Sequence, residues 1–285
     1  MLCVLLLLAA CSTVMPATPR PPAQWQDAAR LVPAQVHFTL SDGAVLPARI
    51  WPALGHECAQ LLALHGFNDS RDAWEVPATY FALQGITVIA PDQRGFGQAP
   101  RRSFWAGSAR MVADAREMVA HLQRVHPPVP LYLAGESMGG AVLMVLMAQP
   151  DAPHVAGTVL LAPAVWALGG LATTPLGVLS TLAPNALVPE QSVPVHVVAS
   201  DNRAALIRLY YDPLTLHATR WQAVQGLVTL MQQAARSAKA LHGPVFCAYG
   251  DKDQLVPPYA MAEAWQAMGA LQPEANRRFD LITGG

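Results

Sequence analysis

Apolar positions along the chain fall into short continuous runs and amphipathic stretches that take turns, so the hydrophobic period keeps switching between that of a strand and that of a helix. Residues 36–51, VHFTLSDGAVLPARIW, alternate on both sides of Asp42-Gly43 and predict a β-hairpin. Residues 58–67, CAQLLALHGF, predict a buried strand that ends in a polar loop. Residues 72–85 read as a helix closed by Gly85, and residues 86–92 as a strand. Residues 104–126 predict a long amphipathic helix with Met111, Ala115, Met118, Val119 and Leu122 on one stripe. A strand over 130–137, a helix over 138–150 and a strand over 155–164 follow.

This order of strands and helices predicts an α/β fold with a mostly parallel sheet and helices on both of its faces. The rhythm breaks at residue 165. Residues 165–241 open with the apolar, loop-rich VWALGGLATTPLGVLSTLAPNALVP and continue in helical pieces, which predicts an inserted helical cap. Strand signals resume in GPVFCAYGD and end in RRFDLITGG. The expected organisation is a core in two parts, 35–164 and 242–285, around a cap at 165–241.

The N-terminus stands apart. Residues 2–10 are almost purely apolar, too short a run to cross a bilayer core of about 30 Å as a helix but suited to a secretory signal. Its end, LAAC, resembles a bacterial lipoprotein cleavage box, although no Lys or Arg precedes the apolar run. That resemblance implies a signal peptide over 1–10, a lipid on Cys11, and an exported protein anchored in a bacterial cell envelope through that lipid. Residues 11–34, rich in Pro and small polar residues, read as an extended tether outside the fold. Cys58 and Cys247 fall on predicted strands and read as buried free thiols.

Composition narrows the partners. The 285-residue chain carries a formal charge of −1, with 53% apolar and 13% charged residues. A large core is easily built, and nucleic acid is excluded as a main partner because phosphate binding needs a basic excess. No histidine pair has ligand spacing beside a carboxylate, so neither a metal nor another cofactor is expected.

The chemistry centres on LYLAGESMGGA, residues 131–141. A serine hydroxyl is a weak nucleophile that needs an exposed position and a base. A Gly-x-Ser-x-Gly turn between strand and helix lifts Ser137 onto a tight bend, with Gly135 and Gly139 keeping neighbouring backbones clear and helix amides from Met138 onward facing a developing oxyanion. LALHGFNDS (62–70), IAPDQRGFGQ (89–98) and AYGDKDQLVPP (248–258) each follow a predicted strand.

Together with AGESMGG, these stretches resemble the α/β-hydrolase family, in its monoacylglycerol lipase and lysophospholipase branch, over residues 36–285. The resemblance implies Ser137 as nucleophile, the backbone amides of Phe67 and Met138 as oxyanion hole, and Asp253 as the acid, three residues after Gly250. Asp251 competes with Asp253 and otherwise fixes its own turn. His65 is read as holding the loop or as a plain loop residue. Asp92 and Arg94 shape the neighbouring loop or form a solvated ion pair worth ~0–1 kcal/mol. The implied activity is cofactor-free hydrolysis of a lipid-like carboxylic ester, a monoacylglycerol or lysophospholipid, through an acyl-enzyme, with the apolar start of the cap as a funnel. Proline-iminopeptidase and haloperoxidase chemistry share this elbow; the peptidase needs carboxylates near the cap, where Glu190 and Asp201 are the only acids between Asp151 and Asp212.

One part of the pattern is missing. The fold orders its triad Ser, acid, His, yet all nine histidines precede Asp253. His196 and His217 lie in the expected cap, and His242 at the opposite end of the sheet. The base is therefore expected beyond the exit of the last strand, with 242–285 a C-terminally incomplete part of the core. A chain lacking that base is expected to retain catalysis only ~10⁴–10⁶-fold below a full triad. The rival expectation is a non-catalytic protein that keeps the fold and binds in its pocket.

Overall fold

The computed structural model describes residues 13–126, 128–166, 170–188, 200–269 and 273–284. Its centre is an 8-stranded sheet in the order β1-β2-β4-β3-β5-β6-β7-β8. The strands are β1 (Val36–Thr39), β2 (Val45–Trp51), β3 (Ala59–Leu64), β4 (Ile86–Pro91), β5 (Leu131–Glu136), β6 (Gly157–Leu161), β7 (Val245–Gly250) and β8 (Arg277–Ile282). The predicted hairpin is β1–β2, antiparallel and placed at one edge, with Phe38 opposite Leu46. From β4 to β8 all pairs run parallel. The loops that follow β3, β5, β7 and β8 therefore emerge at the same edge of the sheet.

Parallel strands with helices on both faces lose their polar side, which is why β3 reads AQLLAL and is buried along its whole length. Successive side chains point to opposite faces. Leu62 and Leu64 join the larger core with Met118, Leu143 and Met144, and Leu61 and Ala63 join the smaller one with Trp74 and Ala78. The helices are α1 (Glu75–Leu83), α2 (Ser108–Val125), α3 (Met138–Met147), α4 (Gly170–Leu182), α5 (Arg203–Tyr211), α6 (Trp221–Ser237) and α7 (Pro258–Met268). The stripe predicted on 104–126 is the buried side of α2.

Three expectations change. First, the cap is shorter than 165–241. Helix α6 packs on α2 and α3, buries Leu230, Met231 and Ala234 in the larger core, and seats Gly226 against Trp105. Parallel β6 and β7 need a crossover, and α6 is that crossover. Second, the described part of the 11–34 segment lies on the body. Thr13 O accepts from Arg220 Nη2 (3.2 Å), the Trp25 ring meets Tyr211 at 5.8 Å, and Val32 O accepts from Arg71 Nη2 (2.9 Å). Third, Cys247 is a buried free thiol on β7, but Cys58 is exposed and precedes β3, its thiol donating to Gly85 O (3.2 Å). Cys11 and residues 1–10 lie outside the described residues.

Asp92 and Arg94 do not pair with each other. Asp92, fully buried at the end of β4, binds the equally buried Arg71 guanidinium and accepts from the amides of Arg71 and Gln98 (both 2.8 Å). Arg94 instead bridges Asp114 (2.8 Å) and Asp42 (2.9 Å). The Arg71–Asp92 bond ties the loop after β3 to the loop after β4. Breaking a buried pair strands a desolvated charge, so Arg71→Leu should lower unfolding free energy by about 3–5 kcal/mol in urea titration. Arg278→Leu, which breaks the exposed Arg278–Asp280 pair, should cost under about 1 kcal/mol. Equal losses for both variants would remove the anchoring role of Arg71.

Candidate active site

Ser137 sits between β5 and α3 with φ 48° and ψ −111°, a left-handed conformation that costs a non-glycine residue about 1–3 kcal/mol. The conformation persists because the backbone around it approaches too closely for side chains. A Cβ on Gly135 would stand 2.5 Å from Gly139 C, and one on Gly139 would stand 2.4 Å from Leu64 O. The elbow is pinned further by Ser137 N donating to Leu161 O (3.0 Å), while Ser137 O accepts from Ala141 and Ala164. Ser137 is half-buried, and its hydroxyl has no hydrogen bond among the described residues.

Met138 is the first residue of α3, so its amide has no intrahelical acceptor. Phe67 belongs to the loop after β3, and its amide has no acceptor among the described residues. The two loops touch at Gly66, where an added Cβ would lie 3.6 Å from Ser137 Cβ. The two amides named from sequence thus belong to the two loops that meet at this point. His65, fully buried, braces this loop: Nδ1 donates to Gly66 O (2.7 Å), Nε2 accepts from Gln93 N (3.0 Å), and Gln93 Nε2 donates to His65 O (2.7 Å). Burial holds the ring neutral by lowering its pKa against the pull of Asp92. His65 is therefore a loop brace with both nitrogens occupied, and not a free base.

Of the two carboxylates after β7, Asp253 and not Asp251 fixes its own turn. Asp253 Oδ1 accepts from Leu255 N (2.7 Å) and Val256 N (3.0 Å), fixing its own loop, and Oδ2 has no partner among the described residues. Asp251 Oδ1 reaches across to Gly284 N (2.8 Å), and Asp251 N donates to Ile282 O (3.1 Å). The exit of β8 is thereby held beside the β7 loop. Among the described residues no histidine bonds Ser137, Asp251 or Asp253. His196 lies outside those residues, and His242 donates its amide to Met147 O at the far end of α3. His217 lines a cavity with Phe67, its Nε2 buried without a partner.

The cap rests on the oxyanion loop. Leu216 N donates to Asn68 O (2.8 Å), Asn68 Nδ2 to Thr219 Oγ1 (2.6 Å), and Ser70 Oγ to Asp212 Oδ2 (3.1 Å). Arg208 of α5 grips both Asp69 oxygens (2.8 and 2.6 Å) and meets Asp212 at 3.4 Å. Burial pushes the Asp212 carboxyl up to about 6. Asp69, Arg208 and Asp212 carried no motif and were not legible in advance. Only the placement of Asp69 after the His-Gly pair marked its loop as part of the site.

The model of the Hydrolase_4 family, described as serine aminopeptidase S33, matches residues 55–281, which include every residue just described up to the exit of β8. This chain belongs to that family. Among curated proteins it is 29% identical over 199 residues to the monoacylglycerol lipase of Mycolicibacterium smegmatis, covering 68% of this chain and 69% of that one. It is 30% identical over 185 residues to the monoglyceride lipase of Homo sapiens, covering 64% of this chain and 60% of that one. The chain thus spans under two thirds of the human relative's length. A soluble variant of the Saccharomyces cerevisiae monoglyceride lipase, solved with a substrate analog, superposes with a TM-score of 0.72 at 17% identity, over 93% of this chain and 90% of that one. That likeness shows the α/β-hydrolase fold.

The elbow argument is directly testable. Gly139→Ala forces a Cβ onto the Leu64 carbonyl, so it should slow labelling of Ser137 by a fluorophosphonate probe at least tenfold and cost about 1–3 kcal/mol of stability. Unchanged labelling by a folded variant would show that the close approach is not what holds the serine.

Proposed function

We propose that this protein hydrolyses carboxylic esters of lipid-like substrates, a monoacylglycerol or lysophospholipid, through an acyl-enzyme on Ser137. The observation that carries this reading is the strained, half-buried serine with two unspent backbone amides beside it. Attack by Oγ on the ester carbonyl develops a negative oxygen, which in this reading the N–H groups of Phe67 and Met138 receive. Such preorganised donors are worth about 10²–10³ in rate each. The alcohol then leaves, and water releases the acid from the serine. Asp253 is the acid, with Oδ2 available to orient the base.

The substrate class is supported by a cavity of about 570 Å³ that reaches Phe67 and is lined by Trp25, Leu206, Ile207, Tyr211 and Leu216. Its size and apolar wall suit an acyl chain. Among the described residues the wall comes mainly from α5 and the segment after it, while Val178, Leu179 and Leu182 of α4 are exposed. The names of the M. smegmatis and human relatives agree with this substrate class.

A second reading is peptidase chemistry, favoured by the family's description and by carboxylates beside the serine: Asp69, Glu136 and Asp212. Asp69 and Glu136 come from the sheet edge, which a count of acids within the cap leaves out; Asp212 stands at the end of that count. An aminoacyl anilide series decides between amide and ester.

The complete gene product should cleave nitrophenyl esters with kcat/KM rising from acetate to medium or long chains, and Ser137→Ala should lower kcat by ~10⁴–10⁶. Preference for acetate alone would remove the lipid part of the reading. Export and anchoring in a bacterial cell envelope through Cys11 belong to the same proposal, supported by LAAC at the end of the apolar run. Cys11→Ser should abolish incorporation of labelled fatty acid and move the protein out of the membrane fraction; unchanged incorporation would refute the anchor.

A further inference from the structure

The cleft on the other side of α5 carries a feature that acyl binding does not use. It encloses about 560 Å³ and meets the active site at Glu136, the residue immediately before the nucleophile. The Glu136 carboxyl leans over the same glycine as the serine: a Cβ on Gly66 would lie 3.7 Å from Glu136 Oε1 and 3.6 Å from Ser137 Cβ. Glu136 is exposed, and solvent reaches its side chain through the cleft.

The neighbouring acids have cations. Arg208 neutralises Asp69 and approaches Asp212. Arg49 binds Asp72 at 2.7 Å and Glu75 at 3.5 Å from behind the cleft wall. Asp27 and Arg30 line it from the N-terminal segment and offset one another in charge. Glu136 has no hydrogen bond or ion pair among the described residues. Its carboxyl is pushed up to about 7, by burial first and by Asp69 second, with Arg208 pulling the other way. An unpaired carboxylate beside the reacting ester attracts a cation and repels an anion.

We propose that Glu136 is a specificity-determining residue that makes the leaving-group side of the site favour esters of cation-bearing alcohols, of the quaternary or primary ammonium kind, and reject anionic ones. This rests on the ester-hydrolase reading and deepens it. Glu136 does no proton transfer in this role; it sets the charge of the alcohol held next to Ser137.

The test uses the complete gene product and three esters of one acyl chain. The leaving alcohols are choline, its uncharged isostere 3,3-dimethylbutanol, and an alcohol of similar size bearing a carboxylate. At pH 8, where Glu136 is ionised, kcat/KM should favour the choline ester over the uncharged one by about tenfold, with the anionic ester slower still. Lowering the pH to 6 protonates most of Glu136, so the choline preference should shrink several-fold; taking a ratio cancels any titration of the catalytic base. Glu136→Gln should bring the choline ratio near unity and make it independent of pH. Ester turnover with no charge preference, or a preference that Glu136→Gln leaves intact, overturns this proposal and leaves the hydrolase reading standing. No turnover of any ester overturns both. Should Glu136→Gln fold poorly, the pH dependence of the ratio in the unsubstituted protein decides.

Discussion

The structure depends on a contact between backbones. At the end of β5 the chain turns so tightly that Gly135 meets the Gly139–Gly140 peptide, and Gly139 meets the carbonyl of Leu64 on the neighbouring strand β3. No side chain fits between them. That approach forces Ser137 into a left-handed conformation, which turns its hydroxyl away from the sheet and starts α3 with an unspent amide. The strain of about 1–3 kcal/mol is sustained because α3 is buried along nearly its whole length, in the core that also holds Leu62, Leu64 and Leu133. Geometry at the site is thus set by packing behind it.

The second half of the oxyanion site is held differently. The loop carrying Phe67 has little apolar anchorage and relies on polar groups: the His65–Gln93 reciprocal bonds, the Arg71–Asp92 pair, and the cap seated on Asn68, Asp69 and Ser70. Buried polar groups of this kind stabilise only when every member is satisfied, and they fix orientation better than leucines would. A loop that aims one N–H at a developing charge gains from that directionality. The cost is coupling: cap, oxyanion loop and the loop after β4 share one network, so the position of α5 bears on the aim of the Phe67 amide.

How much of this was legible in the sequence follows from the range of each interaction. Strand and helix order, the hairpin and the elbow are local, written in periodicity and in glycine spacing, and LYLAGESMGGA carried both the fold and the strained turn at Ser137. The cap boundary was not legible, because α6 packs on both α3 and the cap helix α4, and its amphipathic pattern does not say which of them belongs to the core. The pairing of Asp92 with Arg71, at a separation of 21 residues, and of Arg94 with Asp114, at 20, was hidden for the same reason. Asp92 and Arg94 sit two apart and look like a pair, but at the end of a strand they take different directions. Glu136 was visible only as the variable position of Gly-x-Ser-x-Gly. Its lack of a counter-charge is a property of the cleft, which chain order does not encode.

Helix α5 gives the site its asymmetry. Leu206 and Leu209 line both cavities, while Ile207 and Tyr210 face only the apolar one and Ala205 and Arg208 only the acidic one. One helix thus separates a cavity with a mostly apolar wall, to which Arg203 also contributes, from an acidic cleft that reaches Glu136. An ester of a fatty acid with a polar alcohol has the same division about its carbonyl. On the proposed reading the chain of such an ester packs against Trp25 and Leu216 and its alcohol faces Glu136 and Arg208; the reverse orientation would desolvate the charged groups against hydrocarbon, at a cost of several kcal/mol. Orientation of the scissile bond is in this way enforced by what the wrong pose would strand, more than by any contact made in the right one.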